Sequence, residues 1–135
     1  MKKILYVEDN QDTAEAVKII LTKAGFDVTT KPTGQEGLTE AKKHNFDCIL
    51  LDIMLPDMSG WDIFEHLKKS KIKAKYAFLS AIPVSVERKN DLMKSGVSEY
   101  ITKPFTKTDL INRVNKMLAW KNKKTKYINR IGQRN

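Results

Sequence analysis

The sequence predicts an α/β fold, a doubly wound five-stranded parallel sheet with helices on both faces. Along the chain, short apolar segments alternate five times with segments that place apolar residues at helical spacing. Five such strand-helix units indicate parallel strands with helices on both faces of the sheet. A length of 135 residues suits one domain with its own hydrophobic core.

The first half of the chain alternates three strands with two helices. The strands are predicted at residues 3–7, 26–30 and 47–51. The first helix is predicted at residues 12–24, because apolar side chains recur there at helical spacing. Two N-caps suit its start, a capping box over residues 12–15 and the side chain of Asn10. A shorter helix opens at Thr33.

The second half contains the remaining strands and helices. A loop over residues 55–60 leads into a helix whose apolar face carries Ile63 and Leu67. The strands are predicted at residues 75–79 and 97–101, with a helix at 84–95 between them. A last helix opens at residues 106–109. The folded domain is therefore expected to cover residues 1–119.

Residues 120–135 are predicted to form a basic tail rather than an output domain. The net charge of the protein is +9, and residues 121–135 contain six basic side chains and no acidic one. Basic tails can bind nucleic acids or anionic surfaces. A solvated terminus is the favoured interpretation.

The composition argues against several classes of protein. The uncharged apolar runs are too short to cross a bilayer, so no membrane insertion is expected. The N-terminal apolar segment ends at Glu8, too soon for a signal peptide. The single cysteine, Cys48, rules out an internal disulfide framework and fits a cytoplasmic protein. Its position among Ile and Leu residues indicates a place in the core.

Polar and charged side chains follow four of the predicted strands. Glu8 and Asp9 come after the first strand, Asp52 after the third, Ser80 after the fourth and Lys103 shortly after the fifth. Parallel strands end at the same edge of a sheet, and ligands bind beyond that edge. We therefore expect these side chains to be neighbours.

This edge has the composition of a phosphoryl-transfer site. Neighbouring carboxylates repel one another unless one takes up a proton or a cation binds among them. Oxygen ligands without a cluster of His and Cys favour Mg²⁺ over Zn²⁺. A carboxylate beside such a cation can attack phosphorus, while Lys103 supplies positive charge and Ser80 a hydrogen bond.

Four motifs in this order resemble the receiver domain of two-component response regulators. The motifs are Glu8-Asp9, Leu51–Gly60, Ser80-Ala81 and Tyr100–Phe105. Each motif is weak alone, but together they occur in the correct order at the correct strand ends. The resemblance covers residues 1 to about 119, and it implies a flavodoxin-like (βα)5 fold with strand order 2-1-3-4-5.

The resemblance implies a role for each acidic residue at this edge. Asp52 is the phosphoacceptor. Asp9 and Asp52 bind Mg²⁺ through their side chains, and the carbonyl of Met54 is a third protein ligand. Glu8 acts mainly through a bound water molecule.

The resemblance also implies how phosphorylation is transmitted. Lys103 pairs with the phosphoryl group, and the Lys103–Pro104 peptide bond is expected to be cis. Ser80 bonds a phosphoryl oxygen and shifts toward it, which leaves Tyr100 free to turn inward. This movement repacks the face made by the fourth helix, the fifth strand and the fifth helix.

Two departures from the family pattern concern the phosphoryl group. Ser80 stands where threonine is commoner, which keeps the hydroxyl and loses a methyl group. Met54 and Ile82 occupy the positions that flank the path of attacking water, and both are apolar. Because neither side chain can orient a water molecule, we expect a long-lived acyl phosphate.

The implied function is that of a stand-alone response regulator receiver in the cytoplasm. The domain would accept a phosphoryl group from the phosphohistidine of a sensor kinase or phosphotransfer protein. It would then bind a downstream protein through its switched face, as a monomer or a homodimer. Such a domain assists its own phosphorylation and hydrolysis but turns over no separate substrate, so we do not class it as an enzyme.

Two other functions are compatible with parts of the sequence. A nucleic-acid-binding regulator would use the basic tail, which is short and poor in aromatic residues. An aspartate-nucleophile phosphatase usually carries a second Asp two residues after the nucleophile, where this chain has Met54. Flavin binding is disfavoured because Glu8 and Asp9 would place negative charge against the phosphate of the cofactor.

Overall fold

The computed structural model describes residues 1–119, and the predicted tail at residues 120–135 lies outside the described residues. Five strands alternate with five helices along this part of the chain. The strands are β1 (Lys3–Val7), β2 (Asp27–Lys31), β3 (Cys48–Leu51), β4 (Lys75–Ser80) and β5 (Val97–Thr102). The helices are α1 (Gln11–Lys23), α2 (Gly34–Lys43), α3 (Gly60–Lys69), α4 (Val86–Lys94) and α5 (residues 107–119). Within residues 1–119, no helix is both long and apolar enough to span a membrane.

All five strands pair in parallel in one sheet with the order β2-β1-β3-β4-β5. This confirms the predicted fold class and the strand order that the resemblance implies. Strand β1 lies between β2 and β3, so that Ile4 pairs with Val28 on one side and with Cys48 on the other. The direction of winding reverses between β1 and β3, which makes their carboxyl ends the expected place for a binding site.

Helices cover both faces of the sheet, because alternate residues of each strand point to opposite sides. One core joins the sheet to α2, α3 and α4 and includes Leu5, Leu51, Phe78, Leu38, Ile63, Phe64, Leu67 and Leu92. The other joins it to α1 and α5 and includes Ile4, Leu50, Leu79, Val17, Leu21, Leu110 and Val114. Each such side chain stabilises the fold by roughly 1.5–3 kcal/mol when fully buried. Cys48 is buried in the second core, which confirms its predicted place.

The N-cap of α1 is Asn10. Its side chain accepts a hydrogen bond from the backbone N–H of Thr13 at 2.9 Å, and the helix begins at Gln11. The alternative capping box over residues 12–15 does not form, because those residues already lie inside the helix. The earlier of the two caps therefore determines where the helix starts.

Two element starts lie slightly later than predicted. Helix α4 begins at Val86 rather than at residue 84, because Ser85 is its N-cap. Strand β2 begins at Asp27, one residue after the predicted start. Phe26 is nevertheless buried in the core between the sheet and α1. Its apolar side chain therefore contributes to core packing although the residue lies outside the strand.

Asp57 fixes the loop between β3 and α3 to the start of α2. Its two carboxylate oxygens accept hydrogen bonds from Gly34 N at 2.8 Å and from Gln35 N at 2.9 Å. The first amide groups of a helix have no acceptor within the helix and favour negative charge. These hydrogen bonds, from Gln35 first and then Gly34, lower the pKa of Asp57 below its ordinary value. The loop that follows the third strand is thus held against a neighbouring helix.

Replacing Asp57 by alanine should lower the free energy of unfolding at neutral pH by about 1 kcal/mol, the usual effect of losing a capping side chain. Because the pKa of Asp57 is depressed in the folded protein, its stabilisation is complete above the unfolded-state pKa. It is lost as the pH falls through the folded-state pKa. Urea denaturation of the variant and the wild type should therefore show a smaller difference at about pH 3 than at neutral pH.

Asp27→Ala is the matched control for this prediction, since Asp27 is an exposed aspartate at the start of β2. We expect its effect on stability at neutral pH to be smaller than that of Asp57→Ala. Equal losses in the two variants, or an Asp57→Ala difference that persists in acid, would contradict the assigned role of Asp57.

Candidate functional site

The predicted site residues lie at the carboxyl ends of four strands, at one edge of the sheet. Glu8 follows β1, Asp52 follows β3, Ser80 ends β4 and Lys103 follows β5. Backbone hydrogen bonds extend past the strand ends, from Asp52 N to Val7 O at 3.1 Å and from Lys103 N to Ser80 O at 2.8 Å. The site residues are therefore held in register with their neighbours by the sheet itself.

Glu8, Asp9 and Asp52 form an acidic cluster at this edge. One carboxylate oxygen from each residue lies within 4.8 Å of the others. Glu8 and Asp52 are only 2% and 8% exposed, whereas Asp9 is exposed to solvent. Carboxylate oxygens that lie together and open to solvent on one side are the ligands that Mg²⁺ prefers in proteins. The residues present fit a magnesium site.

The ammonium group of Lys103 lies between the two buried carboxylates. Its Nζ donates hydrogen bonds to Glu8 Oε1 and to Asp52 Oδ2, the second at 3.2 Å. A lysine ammonium is a compact charge on a flexible stem, so it can follow an anion that arrives at Asp52. The peptide bond from Lys103 to Pro104 is cis, as predicted.

Both oxygens of Glu8 are occupied. Oε1 accepts a hydrogen bond from the hydroxyl of Tyr6 at 2.8 Å as well as the one from Lys103. Oε2 accepts the backbone N–H of Asn10 at 3.2 Å. Three donors, of which only Lys103 is distant in sequence, therefore fix the position of this buried carboxylate.

Burial and neighbouring charge drive the pKa values of the two buried carboxyl groups apart. Burial opposes the ionisation of Glu8, but the hydrogen bonds that it receives outweigh burial and lower its pKa. Burial and the proximity of Glu8 raise the pKa of Asp52, and the attraction of Lys103 offsets only part of this effect. Asp52 is therefore the group that first takes up a proton as the pH falls.

The loop that follows Asp52 folds closely around it. Met54 N lies 3.3 Å from Asp52 Oδ1, and Met54 pairs with Ser59 across the loop. Helix α3 opens at Gly60, where an added Cβ would lie 2.2 Å from the carbonyl oxygen of Asp52. A side chain at this position would collide with the backbone that carries the Asp52 carboxylate.

Ser80 and Tyr100 are both bonded to Ile82, at the start of the segment between β4 and α4. The hydroxyl of Ser80 accepts the N–H of Ile82 at 3.2 Å, and the hydroxyl of Tyr100 donates to the Ile82 carbonyl. Tyr100 is buried, and its ring centroid lies 6.3 Å from that of Phe78. The tyrosine ring therefore points inward in this structure.

Known proteins share this fold and are similar in sequence to this chain. The family model of the response regulator receiver domain matches residues 4–115. The chain belongs to this family. The cell cycle response regulator CtrA of Brucella ovis is 37% identical over 112 residues, which make up 83% of this chain and 48% of that protein. The receiver chain thus spans about half the length of the curated relatives that it matches.

Solved structures of receiver domains have the same architecture. A CheY-like receiver domain protein from Methanospirillum hungatei has a TM-score of 0.82 and 30% identity, over 92% of this chain and 98% of that one. The receiver domain of Francisella response regulator 1452 has a TM-score of 0.82 and 33% identity, over 90% and 99% of the two chains. TrrA from Thermotoga maritima, solved in complex with Mg²⁺-BeF, has a TM-score of 0.76 and 32% identity, over 87% and 100%.

Membership of this family defines the general role of the domain. Receiver domains of two-component response regulators bind Mg²⁺ at an acidic site, and this chain has an acidic cluster of Glu8, Asp9 and Asp52. Such domains interact with histidine kinases or phosphotransfer proteins and with downstream targets.

The structure brings together most of the residues that the sequence nominated and adds two that it did not. Glu8, Asp52 and Lys103 are in direct contact, whereas Tyr100 is connected to the site edge through the segment after β4. Sequence reasoning missed Tyr6 and Gly60. A signal existed for Tyr6, because a buried hydroxyl needs a partner and residues two apart share a face of a strand. No local signal marks Gly60, since its close approach depends on how α3 packs.

Replacing Gly60 by alanine should destabilise the protein by about 2 kcal/mol, because the new methyl group would push against the Asp52 backbone. This outcome is diagnostic because alanine is otherwise the better helix former. Urea denaturation measures the change, and Glu65→Ala at an exposed position of the same helix is the control. A Gly60→Ala protein as stable as the wild type would show that the helix can move away without cost.

Proposed function

We propose that Asp52 accepts a phosphoryl group from the phosphohistidine of a sensor kinase or phosphotransfer protein, in a reaction that requires Mg²⁺. The observation that carries this proposal is the position of the Asp52 carboxylate, which lies within the acidic cluster and 3.2 Å from the ammonium group of Lys103. An anionic phosphoryl group can approach a carboxylate only where positive charge offsets their repulsion.

The side chains of Asp9 and Asp52 and the carbonyl of Met54 would hold the cation, with Glu8 acting through a bound water molecule. When bound, Mg²⁺ supplies positive charge that neutralises the cluster and the phosphoryl oxygens. Membership of the receiver family and the oxygen-only cluster support this assignment.

In the proposed transfer, one carboxylate oxygen of Asp52 forms a bond to phosphorus as the bond from phosphorus to the histidine nitrogen breaks. The histidine ring keeps the electron pair of that bond and leaves as a neutral imidazole after it takes up a proton. Lys103 turns toward the phosphoryl oxygens and the Ser80 hydroxyl donates a hydrogen bond to one of them. The chain contributes position and charge rather than an acid or a base of its own.

Signalling would follow from the contacts of Ser80 and Tyr100 with Ile82. A shift of Ser80 toward the phosphoryl group would disturb its hydrogen bond with Ile82, and Tyr100 is bonded to the same residue. The response would appear on the face formed by α4, β5 and α5, which we propose as the binding surface for a downstream protein or a second copy of the chain.

We propose further that the chain acts as a cytoplasmic receiver that turns over no separate substrate. Its output would then pass through protein contact. A nucleic-acid-binding role would depend on the basic residues at 121–135 and would be recognised by steep salt dependence.

Incubation with Mg²⁺ and acetyl phosphate should add one phosphoryl group to the wild-type protein and none to Asp52→Asn, as measured by intact mass. The amide lacks the anionic oxygen that attacks phosphorus. Asp27→Asn, an exposed change at β2, is expected to be labelled like the wild type. Labelling of Asp52→Asn, or release of product from small phosphoesters without a labelled protein, would point to another site or to a phosphatase.

Replacing Met54 by asparagine should shorten the lifetime of the phosphorylated protein by about tenfold, equal to roughly 1.4 kcal/mol of the hydrolysis barrier. The Met54 side chain is 68% exposed and apolar, so it cannot orient attacking water, whereas an amide can. Loss of the label with time measures the lifetime. Met93→Asn, at an exposed methionine of α4, is the control. An unchanged lifetime in Met54→Asn would refute this role for Met54.

A further inference from the structure

Tyr6 carries a hydroxyl within the buried apolar run at residues 4–7 of β1, and its role is not explained by packing alone. Its side chain is fully buried in the core between the sheet and helices α1 and α5. The hydroxyl emerges from this core at the acidic cluster and donates a hydrogen bond to Glu8 Oε1 at 2.8 Å. An ionised carboxylate has no proton to donate, so the direction of this hydrogen bond is from Tyr6 to Glu8.

The three donors that hold Glu8 differ in how firmly they are themselves held. Asn10 offers a backbone N–H at the N-cap of α1, and the ring of Tyr6 is locked in the core. Lys103 has a long flexible side chain that also contacts Asp52. Under the proposed function, Lys103 leaves Glu8 for the incoming phosphoryl group, while the other two donors stay.

We propose that Tyr6 is a positioning residue of the phosphoryl-transfer site, whose buried hydroxyl keeps the Glu8 carboxylate in place for Mg²⁺ when Lys103 turns to the phosphoryl group. This inference rests on the proposed function of Asp52.

The Glu8 side chain is buried, with Glu8 only 2% exposed. If the Tyr6 hydroxyl were absent, the departure of Lys103 would leave Glu8 Oε1 without a hydrogen-bond donor from residues 1–119. A buried carboxylate that loses a donor turns toward water, which removes it from the position that the cation needs.

A tyrosine suits this position because its hydroxyl donates without adding charge. A second lysine or an arginine would hold Glu8 equally well but would repel a divalent cation at the cluster. The Tyr6 hydroxyl therefore adds a donor to Glu8 without adding positive charge to the cluster.

Tyr6→Phe removes only the hydroxyl oxygen, and Tyr76→Phe is the matched control. The hydroxyl of Tyr76 also donates to an oxygen, the carbonyl of Ile72, at 3.0 Å, but near the opposite end of the sheet. Titration with Mg²⁺, followed by amide NMR, should give a dissociation constant about threefold to tenfold higher in Tyr6→Phe than in the wild type. The constant for Tyr76→Phe should equal that of the wild type.

Labelling by acetyl phosphate separates positioning from a general loss of structure. In Tyr6→Phe the Mg²⁺ concentration that gives half the maximal labelling rate should rise by the same factor, while the rate at saturating Mg²⁺ stays within about twofold of the wild type. In the absence of Mg²⁺, the amide resonance of Asn10 should shift in Tyr6→Phe and not in Tyr76→Phe, because Asn10 N–H is bonded to Glu8.

A second comparison uses Glu8→Gln as the background, in which position 8 carries no charge when the Tyr6 hydroxyl is removed. There, adding Tyr6→Phe should change the Mg²⁺ dissociation constant by less than about twofold. An equal loss in both backgrounds would overturn the inference. If Tyr6→Phe alone does not fold, a loss of Mg²⁺ affinity well above twofold within the Glu8→Gln background would overturn it.

The outcomes also separate this inference from the proposed function. A wild-type protein that is labelled at Asp52, together with a Tyr6→Phe protein of unchanged Mg²⁺ affinity, would overturn the role of Tyr6 alone. A wild-type protein that neither binds Mg²⁺ nor takes up the label would overturn both.

Discussion

Electrostatic repulsion among Glu8, Asp9 and Asp52 is the constraint on which the rest of the site depends. Their oxygens lie within 4.8 Å of one another, and two of the three residues are buried. Two unit charges about 4 Å apart repel by about 4 kcal/mol at the effective dielectric constant near a protein surface. The contact of Lys103 with two of the carboxylates reduces this cost. The remaining negative charge favours the binding of a divalent cation.

The fold holds this unfavourable cluster by backbone geometry rather than by side-chain flexibility. Parallel pairing of β1 with β3 brings the two buried carboxylates to the same edge, and each is tied to the sheet by backbone hydrogen bonds. The loop after Asp52 is held in turn by the contact of Asp57 with α2 and by the close approach of Gly60. Rigid elements of this kind can keep like charges together because the hydrophobic cores on both faces stabilise the sheet.

Fewer buried contacts connect the site to α4 than hold the site residues together. Ser80 and Tyr100 meet at Ile82, and α4, which follows soon after, has Leu92 as its buried residue. Helix α2 buries four residues by comparison. An element with few buried contacts moves at low free-energy cost, so a local change in charge at one end of the sheet can bias its position.

The sequence alone determined the alternation of strands and helices, the strand ends at which Glu8, Asp52 and Lys103 stand, and the burial of Cys48. These features follow from apolar periodicity, which is a local property of the chain. Only the tertiary structure decided that Asp57 accepts hydrogen bonds from the first amide groups of α2 and that Gly60 lies against Asp52. The contacts of Asp57 join residues more than 20 positions apart, and that of Gly60 depends on how α3 packs against the end of β3. Local sequence patterns do not predict such contacts, because the contacts form only when complete helices and strands pack together.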